Sequence, residues 1–140
     1  MTLAMNRDEL AAYIDEVFPQ VRGAFRIDAL TYDGITMRLV VNDTHLRPGG
    51  TVSGPSMFGL ADVCVYAMVL SRIGRQALAV TTNCSIDFMR KPAAGADLIA
   101  TGQLLKLGRV LAIGDVHLRS EGSPDLVARA TLTYSIPPAR

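Results

Sequence analysis

Hydrophobic and polar positions alternate along the chain with two different spacings, one typical of helices and one typical of strands. Near the start, four apolar residues between Leu10 and Phe18 recur at helical spacing. They follow Asn6, a residue type that caps helices, and they precede Pro19, which ends the pattern. The chain is therefore predicted to begin with a short amphipathic helix.

Six later segments have the composition and length of β-strands. They cover residues 25–32, 35–41, 77–89, 97–107, 110–119 and 126–136. The dipeptide Asp33-Gly34 between the first two favours a two-residue hairpin turn. The connections between the last four are short, which favours antiparallel neighbours, so a four-stranded meander is predicted after the hairpin.

Between these two groups of strands lies a run that is apolar in every direction, from Met57 to Leu70. It is predicted to form a helix that ends at Gly74, and it is shorter than the roughly 20 residues that a membrane span needs. A helix without a polar side has to be surrounded by other elements. The expected fold is therefore α+β, a long central helix wrapped by a curved antiparallel sheet of about six strands.

Composition narrows the class of protein. The chain has 140 residues, which fits one domain, and its 14 basic and 13 acidic side chains nearly cancel. This balance argues against nucleic acid or an anionic membrane as the main partner. Cys64 and Cys84 both fall in apolar or strand-like runs, as expected for reduced cysteines. With no signal-peptide pattern at the start, a cytoplasmic protein is expected.

Asp62 is the first candidate for chemistry. It is the only charged residue between Arg47 and Arg72, and it lies within the apolar helix. Removing an ionised carboxylate from water without a partner costs several kcal/mol, so such a placement usually serves a purpose. Either the carboxylate bonds a neighbouring segment or a partner chain, or it acts on a substrate.

Three motifs connect the chain to a known family. They are Gly50–Pro55 followed by Leu60-Ala61-Asp62, the strand end Ile86–Pro92, and the turn Leu107-Gly108-Arg109. On these motifs the chain resembles the hotdog-fold thioesterases of the PaaI-like branch, which hydrolyse acyl-CoA. The resemblance extends over nearly all of residues 1–140 as a single hotdog domain.

The resemblance implies roles for particular residues. Asp62 would be the catalytic base or nucleophile, the backbone N–H of Gly54 would polarise the thioester carbonyl, and Thr81 would help to hold water. Coenzyme A would enter as part of the substrate, without a metal or another cofactor. The sequence departs from the family where Ser53 replaces a histidine, Pro55 replaces a glycine, and Arg47 replaces an asparagine or glutamine.

The start of the central helix is compatible with these roles, and an ordinary helix start would explain its residue types equally well. Ser53 can cap the helix and Pro55 fits its first turn, so the N–H of Gly54 has no acceptor within the helix. Gly54 and Asp62 would lie roughly 12 Å apart along one helix, too far to reach one carbonyl together. We therefore expect a homodimer with antiparallel central helices and two composite sites, or a tetramer of such dimers.

Further candidates for substrate binding are less specific. Each of the basic residues is also a common type of solvated turn or loop residue, and Tyr66 is also a common core residue. The candidates for the phosphates of coenzyme A or for its acyl group are Arg47, Tyr66, Arg90, Lys91, Lys106 and Arg109. Thr81 lies in a polar alternation that a solvated or interface strand would explain equally well.

Two alternative functions stay open at this stage. One is a hotdog protein that binds acyl-CoA without hydrolysing it, suggested by Ser53 and Pro55. The other is a hotdog dehydratase, which would need His45 or His117 to approach Asp62 in the fold. Neither histidine has neighbours at a metal-site spacing. The acyl group and the choice between dimer and tetramer are not fixed by the sequence.

Overall fold

The computed structural model describes residues 2–138 and contains two α-helices. They are α1 (Arg7–Val17) and α2 (Gly54–Ile73), and two short 3-10 helices lie at Pro19–Val21 and Asp43–His45. The α1 helix begins where the sequence predicts, because the Asn6 side chain accepts from the N–H of Glu9 and the Glu9 side chain accepts from the N–H of Asn6.

Six strands form one antiparallel sheet. They are β1 (Phe25–Leu30), β2 (Ile35–Leu39), β3 (Val80–Phe88), β4 (Leu98–Leu107), β5 (Leu111–Ser120) and β6 (Leu126–Ser135). Their order across the sheet is β1-β2-β4-β5-β6-β3, and all five neighbouring pairs are antiparallel. The predicted α+β architecture is confirmed.

The predicted four-stranded meander is wrong in one respect. Only β4, β5 and β6 are consecutive neighbours, whereas β3 pairs with β6 at the sheet edge and β4 pairs with β2. The tight turns after Leu107 and Ser120 make hairpins, but residues 89–97 form a longer connection that leads from the edge strand to the middle of the sheet. A connection of that length does not require its two strands to be neighbours.

The α2 helix lies at the centre of the core. By length and composition it could cross a membrane, but 67% of that stretch is buried inside the domain. Glycines on the sheet allow close packing: a Cβ at Gly102 would lie 2.9 Å from the Cys64 sulfur, and one at Gly114 would lie 2.9 Å from a Val65 methyl group. The apolar surface of α2 is thereby covered by the sheet.

The edge strand β3 is unusual because none of its residues is buried. Phe88 pairs with buried Ala128 and faces α2, yet it is 52% exposed, and Val80 is 56% exposed. A long edge strand with exposed apolar residues and a free row of backbone groups is suited to pairing with another chain.

An ion network ties the other side of the sheet together. The Arg38 guanidinium contacts Asp28 and Asp97 at 3.0 Å each and Glu121 at 2.6 Å. Asp97 also accepts from the N–H of Val41 at 3.0 Å. The Val41 N–H, followed by Arg38, holds the pKa of Asp97 below its usual value.

Asp97 should therefore stabilise the fold in a pH-dependent way. A lowered folded-state pKa contributes stability above the unfolded pKa of about 3.9 and loses it as pH falls through the folded value. We expect Asp97→Asn to lower the free energy of unfolding by about 1–2 kcal/mol at neutral pH, with the difference from the original chain shrinking below about pH 4. Urea denaturation across a pH series measures this. A difference independent of pH would contradict it.

Candidate active site

The carboxylate of Asp62 is held by two hydroxyl groups from neighbouring strands. Thr81 Oγ1 on β3 donates to Asp62 Oδ1 at 2.5 Å, and the Tyr134 hydroxyl on β6 lies 2.7 Å from the same oxygen. The Tyr134 hydroxyl is also 2.9 Å from the main-chain oxygen of Asp62. Because β3 pairs with β6 with Thr81 opposite Tyr134, both donors reach the helix from adjacent positions.

The second carboxylate oxygen, Oδ2, is left for other contacts. Among residues 2–138 no donor lies within hydrogen-bond distance of Asp62 Oδ2. Burial, and then the charge of Asp62, raise the pKa of Tyr134 far above its usual range, so its hydroxyl stays protonated and can donate. The carboxylate is therefore fixed through one oxygen and free at the other.

A cavity of about 290 Å³ opens beside Asp62, and we call it the Asp62 cavity. Asp62, Thr81, Tyr134 and Tyr66 supply its polar groups, while the remaining lining is apolar: Val17, Phe18, Val63, Ala77, Ala79 and Val80. The Tyr66 hydroxyl donates to the main-chain oxygen of Ala77 at 2.8 Å. Tyr66 is therefore both a core residue with a satisfied hydroxyl and a wall of the cavity.

A second cleft lies at the other end of β3, at the start of α2, and we call it the Gly54 cleft. Its volume is about 390 Å³. Gly54 lines it together with three basic residues that the sequence suggested for substrate binding, Arg47, Arg90 and Lys91. Arg90 is within 3.5 Å of Asp125 in an exposed ion pair. The cleft thus brings three cationic side chains close to the backbone of Gly54.

The helix start takes the expected form. Ser53 is the N-cap and its Oγ accepts from the N–H of Ser56 at 3.3 Å, while Pro55 lies in the first turn. Among the described residues, the N–H of Gly54 donates to no acceptor. A Cβ at Gly54 would lie 3.5 Å from the Phe88 ring, so this ring marks the position of Gly54 along β3.

Other predicted residues lie away from both sites in the single chain. Lys106 and Arg109 lie at the β4–β5 turn and line neither the Asp62 cavity nor the Gly54 cleft, so their contact with substrate stays a prediction. His45 accepts from the N–H of Asn42, and His117 lies 3.7 Å from Asp115 on β5. Neither histidine lines the Asp62 cavity.

Within residues 2–138, no group of three or more His, Cys, Asp or Glu side chains is placed to hold a metal ion.

The two cysteines are not activated as nucleophiles. Burial raises the pKa of Cys64 to about 12, and burial followed by the charge of Asp62 raises the pKa of Cys84. Both thiols are therefore protonated at neutral pH.

Sequence reasoning missed Tyr134. It lies at a core-facing position of the strand predicted over residues 126–136, and a buried tyrosine hydroxyl needs a hydrogen-bond partner. That requirement was a signal, but its partner, Asp62, could not be identified until the position of β6 against α2 was known. The meander prediction also placed β3 next to β4, so Thr81 was not expected beside Tyr134.

The short bond from Thr81 leads to a prediction. Thr81→Val keeps the shape of the side chain but removes a donor to Asp62 Oδ1, so the carboxylate is less well oriented. We expect kcat for thioester hydrolysis to fall by about tenfold with the fold intact. Thr82→Val, whose hydroxyl is 3.4 Å from the Thr133 main-chain oxygen, is the matched control. An unchanged kcat in Thr81→Val would exclude this orienting role.

Comparison with known proteins agrees with this geometry. The profile of the Thioesterase superfamily matches residues 49–127. The chain is 64% identical to a candidate thioesterase from Silicibacter sp. TM1040, with a TM-score of 0.93 and coverage of 99% of this chain and 96% of that one. It is 26% identical over 116 residues to human acyl-coenzyme A thioesterase 13, covering 83% of this chain and 82% of the human protein.

A third relative bears on the branch of the family. The phenylacetic acid degradation protein PaaI from Thermus thermophilus, solved as a mutant, is 28% identical. It aligns with a TM-score of 0.73 over 85% of this chain and 99% of its own. The long central helix and six-stranded antiparallel sheet match the hotdog fold of such proteins. The chain therefore belongs to the thioesterase superfamily, and it is a thioester hydrolase.

Proposed function

We propose that the protein hydrolyses acyl-CoA to a free acid and coenzyme A, with Asp62 as the base or nucleophile. The observation that carries this proposal is the Asp62 carboxylate, fixed at Oδ1 by Thr81 and Tyr134 and free at Oδ2 beside a cavity. Because Oδ2 has no hydrogen-bond donor among the described residues, it is available to a water or a substrate bound in the cavity. The similarity to an acyl-coenzyme A thioesterase supports the substrate class.

The complete site is formed by two copies of the chain. Along β3, Thr81 contacts Asp62 near one end and Phe88 packs beside Gly54 at the other. If two β3 edges pair antiparallel around their midpoint at Cys84, Thr81 comes opposite Asp87 of the partner subunit, one residue from Phe88 of the partner subunit. Asp62 then comes close to Gly54 of the partner subunit. This pairing also covers the exposed edge of β3. Each dimer then has two composite sites.

The chemistry uses these two groups at one carbonyl. The free N–H of Gly54 from the partner subunit donates to the thioester oxygen and stabilises the negative charge that develops there. Asp62 Oδ2 either removes a proton from an attacking water or attacks the carbonyl carbon itself. The carbon–sulfur bond then breaks and the coenzyme A thiolate leaves. In the base route the thiolate takes the proton that Asp62 removed from water; in the nucleophilic route water hydrolyses the anhydride between the acyl group and Asp62, which releases the acid and a proton for the thiolate.

Isotope labelling can identify a nucleophilic Asp62. In a single turnover in water labelled with heavy oxygen, a general base delivers labelled oxygen to the acid product and leaves Asp62 unlabelled. A nucleophilic Asp62 forms a mixed anhydride, and attack of water on its Asp62 carboxyl carbon leaves the label in Asp62 and an unlabelled oxygen in the first product. Label in Asp62, detected by mass spectrometry of the peptide, therefore identifies the nucleophilic route.

The Gly54 cleft supplies the charges for coenzyme A. Arg47 and Lys91 line this cleft, and Arg90 joins them from its exposed pair with Asp125. Phosphates of coenzyme A bound there would leave the thioester directed towards Gly54. Because Lys106 and Arg109 line neither site of the isolated chain, any contact from them would have to come through an assembled oligomer.

A thiol-release assay on butanoyl-, phenylacetyl- and hexadecanoyl-CoA tests the function. We expect free thiol to appear at a rate proportional to enzyme for at least one of these substrates. The competing function, binding without turnover, predicts that calorimetry detects binding while no thiol is released from any of them. That result would overturn the proposed hydrolysis.

A further inference from the structure

A cavity of about 590 Å³ lies beneath α1, and we call it the α1 cavity. Its apolar lining includes Ile14 from α1, Ile27 from β1, Met37 from β2 and Val63 from α2, and all four side chains are buried. Five charged residues also line it: Arg7, Asp8, Asp15, Arg26 and Asp28. It thus has an apolar floor of buried side chains and charged walls, and its size is common for small-molecule sites.

This cavity is next to the Asp62 cavity. Val63 lines both, so its side chain forms part of a common wall. On α1, Ile14 lines the α1 cavity, and Val17, one turn later, lines the Asp62 cavity. The wall between the two cavities therefore consists partly of apolar side chains from both helices. An alkyl chain that pushes these side chains aside breaks no hydrogen bond.

The sizes of the two cavities suggest a division of roles. A cavity of about 150 Å³ can hold a benzene molecule, so the Asp62 cavity, about twice that volume, has room for a substituted ring or an alkyl group of moderate length. A long acyl group would need additional apolar space that begins close to Asp62. The α1 cavity is the space that meets this requirement through Val63.

We propose that the α1 cavity is the distal part of the acyl pocket, and that it selects unbranched long-chain acyl groups. This inference rests on the proposed thioesterase function. The acyl chain enters the Asp62 cavity with its carbonyl at Asp62, passes Val63 and lies beneath α1 against Ile27 and Met37. Val63 and the facing turn of α1 then control how easily a long chain enters.

Filling the α1 cavity tests the proposal. Ala11 lines this cavity and not the Asp62 cavity, so Ala11→Phe adds a ring to the distal space alone. We expect kcat/KM for hexadecanoyl-CoA to fall by about tenfold or more, with butanoyl- and phenylacetyl-CoA unchanged within about twofold. Assays are kept below the concentration at which the long-chain substrate forms micelles.

A matched control is the next residue of the same helix. Ala12 is exposed, so Ala12→Phe adds the same ring to the solvent side of α1 and should leave all three rates unchanged. Val63→Ala shortens a side chain of the common wall and so opens the passage between the two cavities. It should raise the ratio of kcat/KM for hexadecanoyl-CoA to kcat/KM for butanoyl-CoA. Thermal unfolding of each variant shows whether a loss reflects misfolding.

The outcomes separate this inference from the function on which it rests. If the folded Ala11→Phe variant loses activity equally on all three substrates, or on none, the α1 cavity is not the acyl pocket. If no substrate is hydrolysed at all, the proposed function fails, and binding of S-hexadecyl-CoA and S-butyl-CoA decides the inference alone. Weaker binding of only the long-chain thioether by Ala11→Phe supports it, and any other pattern overturns it.

Discussion

Replacement of Asp62 by asparagine is expected to lower kcat for thioester hydrolysis by about 10²- to 10⁴-fold, the range attributed to a positioned base. Asparagine keeps the size of the side chain, and its carbonyl oxygen can still accept from Thr81 and Tyr134. It can neither remove a proton from water nor attack a thioester. Steady-state thiol release and the thermal unfolding midpoint, measured together, check this result.

The matched control for this change lies in the turn between β1 and β2. Asp33→Asn makes the same chemical change at an exposed residue that is on another part of the sheet and lines neither site. It should leave kcat unchanged. If Asp62→Asn retained full activity, or if both variants lost activity equally, Asp62 could not be the reactive group.

Loss of the Gly54 N–H should have the second largest effect. Gly54→Pro removes this single donor, and the backbone of Gly54 does not have the positive φ that would exclude proline. Removing one donor from an oxyanion site costs about 10²- to 10³-fold in kcat. We expect a loss in this range, measured by thiol release on the best substrate.

Gly54→Ala distinguishes loss of the N–H donor from crowding by an added side chain. Alanine keeps the N–H and places its Cβ in ordinary contact with the Phe88 ring, at 3.5 Å. We expect this variant to retain most of the activity. An equal loss in the alanine and proline variants would mean that crowding, and not the missing donor, was responsible.

Much of the fold follows from local pattern. The helix that became α2 is apolar on all sides and so had to be enclosed, which predicted both its burial and the surrounding sheet. The isolated carboxylate of Asp62 and the cap formed by Ser53 were visible for the same reason. Asp62 interrupts the apolar pattern of the helix, and Ser53 lies where that helix begins.

What the sequence could not provide depended on contacts between distant segments. The connection after Phe88 is long enough to place β3 and β4 on different sides of the β5–β6 hairpin. The local sequence pattern of this connection did not predict that placement. Tyr134 was also missed, because its role depends on where β6 lies against α2. Local patterns also do not show how α1 meets Val63 to form two adjacent cavities.

A mixed dimer gives the most direct test of the composite site. Asp62→Asn and Gly54→Pro chains with different affinity tags are co-expressed, and the dimer that carries both tags is purified. One of its two sites then has both defects, and the other has an intact Asp62 and an intact Gly54 from opposite subunits. We predict about half of the wild-type kcat per dimer, although each parent dimer is nearly inactive. A mixed dimer as inactive as its parents would show that each site is built from one chain.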